Sequence, residues 1–173
     1  MTRIALRNLK RTMDNGVVTM RDFSEVDKKK KRARITIPEN PAGLSSGKLA
    51  ELEESVKSSL KDGYLACPVA WSLAKKADVP RIAVGAMTDK LGFRITECQL
   101  GCFKVDKTLY TEPPREILDP AMISELERLD NDKQLTCEKA FELSTRYRQK
   151  PMVVGNEASA RNMKIRNCQL GCF

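Results

Sequence analysis

The chain has 173 residues, 41% of them hydrophobic, and 31 Lys and Arg against 23 Asp and Glu, a net charge of +8. That composition is of a foldable globular chain, neither disordered nor collagen-like. No apolar run approaches the roughly 18 residues of a membrane span, and Met1–Arg7 has no signal-peptide core, so a cytoplasmic protein without a membrane span is expected. There is no histidine, which excludes histidine triads, histidine general bases and mixed Cys/His metal sites.

Residues 1–46 read as a basic arm and linker. Residues 1–48 hold 12 basic and 5 acidic residues, whereas 49–173 hold 19 and 18, so nearly all the excess charge is N-terminal. Arg3, Arg7, Lys10 and Arg11 share one helical face and Leu6, Leu9 and Met13 another, with Asn15-Gly16 as the stop. Residues 17–20 and 34–37 have strand character. Between them runs Lys28, Lys29, Lys30, Lys31, Arg32 and Arg34, a block that attracts polyanions, nucleic acid first among them. The alternatives are a solvated arm or one lying along an acidic protein. The Pro- and Ser-rich stretch 38–46 is the linker.

A repeat organises the rest of the chain. Cys-Gln-Leu-Gly-Cys-Phe stands at 98–103 and again at 168–173. The offset of 70 aligns 49–103 with 119–173 without a gap, with 14 of 55 positions identical; chance gives about 3–4. In the first copy, 47–103, helical spacing of Leu49, Leu52, Val56 and Leu60 predicts a helix over 47–61, stopped at Asp62-Gly63. An extended piece, 64–66, leads to Cys67. Helices over 68–76 and 80–90 come next, separated by a turn at Ala77–Pro80. Alternation over Phe93–Thr96 and the turn residues Gln99–Gly101 predict a terminal hairpin. Residues 104–118, with Pro113-Pro114, are a stiff linker. The second copy, 119–173, opens on Asp119 as N-cap and Pro120 as the first helical residue.

Ala74, Asp78-Val79, Val84 and Met87 resemble a helix-turn-helix signature: a small residue in the second helix, a turn four residues on, apolar anchors in the third. With the hairpin, each copy resembles a winged helix-turn-helix domain. Asp78 stands where that family usually has Gly, and in the second copy Ser144 and the polar stretch 145–150 fit less well. The resemblance implies a mostly α fold with small β hairpins: two repeated winged-helix-like domains behind a basic arm. It also implies DNA binding, with transcriptional regulation as the role. The third helices would enter the major groove, offering Arg81 and Lys90 in one copy and Asn156 and Arg161 in the other. Gly85 and Gly155 sit mid-helix, where each costs about 1 kcal/mol against Ala; their repetition predicts close approach of another backbone there.

All six cysteines belong to the repeat: Cys67, Cys98 and Cys102, then Cys137, Cys168 and Cys172. If the strand before Cys67 pairs with the hairpin, each copy gathers three thiols. Three thiolates suit zinc with an outside ligand or an iron–sulfur cluster with an incomplete protein shell; redox switching and plain packing in a core are the alternatives. An accessory or assembly subunit of a metal or redox complex is therefore the second functional expectation, with a protein partner or homodimer. No phosphate loop, nucleophile elbow or histidine base is present, so an enzyme is not expected.

Overall fold

The computed structural model describes Val26, Lys29, Lys31, Ala33 and residues 35–103 and 118–173. The helix expected at 3–13, the strand at 17–20, most of the polybasic run and the linker after Phe103 lie outside the described residues. Each repeat presents three helices in the same order. The first has α1 (Ser46–Ser58), β1 (Tyr64–Ala66), α2 (Cys67–Ala77), α3 (Arg81–Lys90) and β2 (Arg94–Thr96); the second has α4 (Pro120–Asn131), α5 (Cys137–Arg146) and α6 (Pro151–Ala160). Mostly helical with small β elements, the class expected from the sequence, is what the structure shows.

Local chemistry sets the ends. Ser45 caps α1, its side chain accepting from the Lys48 amide, and Asp119 caps α4 by accepting from the Ala121 amide at 2.8 Å, each satisfying a helix donor that has no partner within the helix. Asp78 ends α2 in the left-handed region at φ 52°, a conformation Asp tolerates better than most residues. The linker at 38–46 is ordered rather than free: the Asn40 side chain brackets Leu44, bonding its N–H and C=O at 2.8 Å each, and Ala42 and Leu44 pack on the first core. Ile35–Ile37, expected as a strand, carries no strand among the described residues.

The strands pair differently from a hairpin. β1 and β2 run parallel, with Leu65 opposite Ile95 and Ala66 opposite Thr96, and the second repeat keeps only the equivalent parallel bridge, Thr136 with Arg166. Parallel pairing is possible because two helices make the crossover. After β2 the chain turns away, so the stretch expected to close a hairpin is a docking segment instead.

That segment crosses between repeats. The first core is built on Leu52, Val56, Leu65, Ala70, Val84, Met87 and Ile95, and it includes Leu170 from the second hexapeptide. The second, on Met122, Leu126, Leu135, Leu143 and Val154, includes Cys98 and Leu100 from the first. Each repeat is thus completed by the other's tail. Equivalent residues also meet: Trp71 against Phe141 with ring centroids 4.2 Å apart, and Phe103 edge-on to Phe173 at 6.1 Å. The reciprocity describes an approximate twofold relation between the copies.

Candidate functional site

The parallel register explains why the thiols converge. Ala66 is opposite Thr96, so Cys67, the first residue of α2, comes level with the chain leading into Cys98. In the second repeat the Cys137 N–H donates to the Arg166 carbonyl at 2.8 Å, bringing Cys137 beside Cys168. The backbone beside the first cysteine of each repeat is thus brought level with the hexapeptide of that repeat by this parallel pairing rather than by a hairpin.

Each hexapeptide is a tight turn. The Gly101 N–H donates to the Cys98 carbonyl at 2.9 Å, and the Gly171 N–H to the Cys168 carbonyl at 2.8 Å. Both glycines take positive φ, 71° and 68°, which an L side chain rarely adopts. The turn aims Leu100 and Leu170 outward, and both are fully buried in the opposite repeat. Their carbonyls rest on α6 and α3. A Cβ on Gly85 would strike the Leu170 carbonyl oxygen and stand 2.7 Å from its carbon, and one on Gly155 would strike the Leu100 carbonyl in the same way. The close backbone approach expected at the two mid-helix glycines is therefore present.

The glutamines after the first cysteines point back. Gln99 Nε2 lies 3.7 Å from Cys67 Sγ, and Gln169 Nε2 lies 3.8 Å from Cys137 Sγ, both donor contacts to sulfur. Gln169 also accepts from Arg81, whose guanidinium sits 3.4 Å above the Trp71 ring. The two glutamines are the site residues that sequence reasoning missed. Their signal was their place in the repeated hexapeptide, beside the cysteines.

Electrostatically the thiols divide into two kinds. Cys98 accepts a hydrogen bond from the Cys102 thiol and further ones from the Cys102 and Leu100 amides, which bring it down to about 6, since donors aimed at a thiolate favour the charged form. Cys168 is likewise held low by the thiols of Cys137 and Cys172 and the amides of Cys172 and Leu170. Their donors Cys102, Cys137 and Cys172 are held up, each by the thiolate it serves and by burial, and burial raises Cys67. The two sets also sense each other: Cys168 acts on Cys67, Cys98 and Cys102, and Cys137 on Cys102. All six are free thiols, and cysteines of one repeat act electrostatically on those of the other.

These residues do not fit the zinc or iron–sulfur expectation. Among the described residues, no three Cys, Asp or Glu side chains are grouped so as to hold a metal ion.

The residues expected to contact nucleic acid are dispersed. Lys28, Lys30, Arg32 and Arg34 lie outside the described residues; Lys29 is exposed, and Lys31 is ion-paired with Asp89 of α3. Arg81 is committed to Trp71 and Gln169. Six consecutive residues of α3, Ala83 to Thr88, are buried: Ala83, Val84 and Met87 lie in the first core, and Gly85 lies against the Leu170 carbonyl of the second hexapeptide. Lys90 is exposed. On α6 Asn156 is exposed, and Arg161, just beyond the helix, is ion-paired with Glu157 and Glu127. No helix among the described residues is long and apolar enough to cross a membrane. No protein-family model, curated protein or solved structure matches the chain.

Proposed function

We propose that this protein is a thiol-based redox protein, acting as an accessory component of a larger complex, and that its working part is the thiol region between the repeats. One observation carries the reading: the exchanged hexapeptides gather the cysteines of both copies and place two of them, Cys98 and Cys168, among thiol and amide donors that favour thiolate. Thiolate is the reactive form of cysteine. Dithiols that oxidise transiently suit the reducing compartment expected for this chain. A redox titration of the full-length protein, with disulfides mapped by mass spectrometry, tests it. Reversible loss of thiols in pairs from the hexapeptides, with the helical content kept, is the expected result. Six thiols that persist until the protein unfolds would overturn the reading.

DNA binding is the second reading, favoured by the basic excess of residues 1–48 and by the exposed Asn156 and Ser159 on α6. Under it, deleting residues 1–34 weakens binding to any duplex and flattens its salt dependence. Each lost phosphate contact removes about 0.9 from the slope of log affinity against log salt. A full-length protein that binds neither specific nor random duplex at low salt ends this reading.

A further inference from the structure

The groove between α1 and α2 of the first repeat has a counterpart between α4 and α5 at the offset of 70, and every lining position is described in both. In the second repeat the groove is filled from within. Tyr147, which follows α5, packs on the second core, and its phenol donates to Glu125 of α4 at 3.3 Å. Arg146 beside it holds the same carboxylate with two bonds of 2.6 and 2.8 Å. The ring thus spans from the end of one helix to the middle of the other, and Leu143 of that core is 1% exposed. In the first repeat Ala77 stands at the place of Tyr147, Ser55 at that of Glu125 and Lys76 at that of Arg146. No ring crosses, and a groove of about 500 Å³ remains, lined by these three and by Leu52, Leu73 and Glu54 among others. Leu73, the counterpart of Leu143, is only half-buried. Clefts that hold small ligands run to about 300–1,000 Å³.

We propose that this groove is a docking site for a tyrosine with a basic residue beside it, carried by a segment of a partner protein. The proposal rests on the accessory role given above and needs nothing of the thiols. Its warrant is a contact that the fold already makes with itself. Where the chain supplies tyrosine, arginine and glutamate, they fill the groove; where it supplies alanine, lysine and serine, the equivalent leucine stays partly in water. A ring laid over Leu73 and Ala77 removes that apolar surface from water, and tyrosine does so at low cost in conformational freedom while keeping its hydroxyl bonded. Ser55 gives its proton to the Glu51 carbonyl at 2.8 Å, so its oxygen is left to accept from the phenol. Lys48 is paired with Glu51 at 3.9 Å. Glu54 is the carboxylate that takes the basic neighbour, as Glu125 takes Arg146. Of the chain's own tyrosines, Tyr64 is buried in β1, Tyr147 is engaged, and Tyr110 lies outside the described residues.

The probe is the peptide Thr-Arg-Tyr-Arg-Gln-Lys, a copy of residues 145–150, titrated into the full-length protein and followed by amide NMR. Saturable shifts at Leu52, Ser55, Leu73 and Ala77 are expected. Affinity should fall at least about tenfold when alanine replaces the peptide's tyrosine, as for an aromatic anchor. Ala77→Tyr, which fills the groove from within, should abolish the shifts and raise the midpoint of denaturant unfolding. Ser55→Arg, at a helix position that suits arginine, should abolish them from the other wall. Glu54→Ala should weaken binding about threefold. A peptide that shifts no groove amide, shifts them equally without its tyrosine, or still binds both Ala77→Tyr and Ser55→Arg overturns the proposal. So does a change at the groove amides on Tyr110→Ala without peptide, which would make the chain's own linker the occupant. Tyrosine-dependent binding by a protein whose thiols resist oxidation until it unfolds would keep this site and end the redox reading; no binding by a protein that loses its thiols in pairs would do the reverse.

Discussion

Among single residues, two glycines hold the molecule in its arrangement. Alanine at either position would gain about 1 kcal/mol in helix propensity. It would also press a methyl into a backbone carbonyl, which cannot swing aside as a side-chain tip can. Gly85→Ala and Gly155→Ala are each expected to destabilise the protein, at the upper end of the about 1–3 kcal/mol typical of overpacking or beyond it, as read from the midpoint of denaturant unfolding. An unchanged midpoint would mean the hexapeptides are not docked there. Arg81 makes a second case. Its guanidinium lies over Trp71 and bonds Gln169, so Arg81→Ala should cost about 1 kcal/mol of stability. An effect confined to DNA affinity, with stability untouched, would return Arg81 to the role of a base reader. Type and position alone placed it on a reading helix; only its packing on Trp71 and its bond to the other repeat's Gln169 show that its charge is already engaged.

At the level of elements, the hexapeptides act as reciprocal plugs. Leu100 and Leu170 are 1% and 0% exposed, each within a core built mainly by the other repeat. Leu170→Ala should therefore cost about 2–5 kcal/mol. Hydrogen exchange supplies the decisive readout: protection should fall in α3 of the first repeat before it falls in α6. The reverse order would place the leucine in its own repeat's core. The helices themselves were legible from the sequence. Observed bounds differ from the expected ones by a few residues at most, and Asp119 and Pro120 open α4 as their chemistry requires. The direction of the strand pairing was not legible. Alternation over residues 93–96 marks an extended segment, but its partner, Tyr64–Ala66, lies far back along the chain. The pairing of 64–66 with this segment was expected from the winged-helix resemblance and is found, but nothing in so short a strand states in which direction it runs.

For the molecule taken entire, exchange makes the two copies one cooperative unit. Neither core is complete without the other's tail, and the Trp71–Phe141 contact adds to the seam. Thermal unfolding should show a single transition, with the fluorescence of Trp71, the chain's one tryptophan, changing together with the helical circular dichroism. Two separated transitions, or a fluorescence change well ahead of the loss of helix, would show that the repeats melt independently. The boundary between copies drawn from the alignment, at 103 and 119, is thus a boundary of sequence and not of packing.

Whatever depends on near neighbours could be read from the order of the amino acids. The helical periodicities, the caps, the turn glycines and the duplication are local or purely textual, and each is visible without knowing where the chain goes. Gly85 and Gly155 were marked as places of close approach in the same way, because a mid-helix glycine is unfavourable unless something needs its missing side chain. What approaches them was not marked. The identity of that partner, and the electrostatic influence of one repeat's cysteines on the other's, came from the packing of the repeats. Each depends on which repeat a tail enters, and both copies carry the same leucine and the same glycine. A tail docked at home and a tail docked on its neighbour satisfy the same local pattern; only the geometry of the two packed repeats distinguishes them.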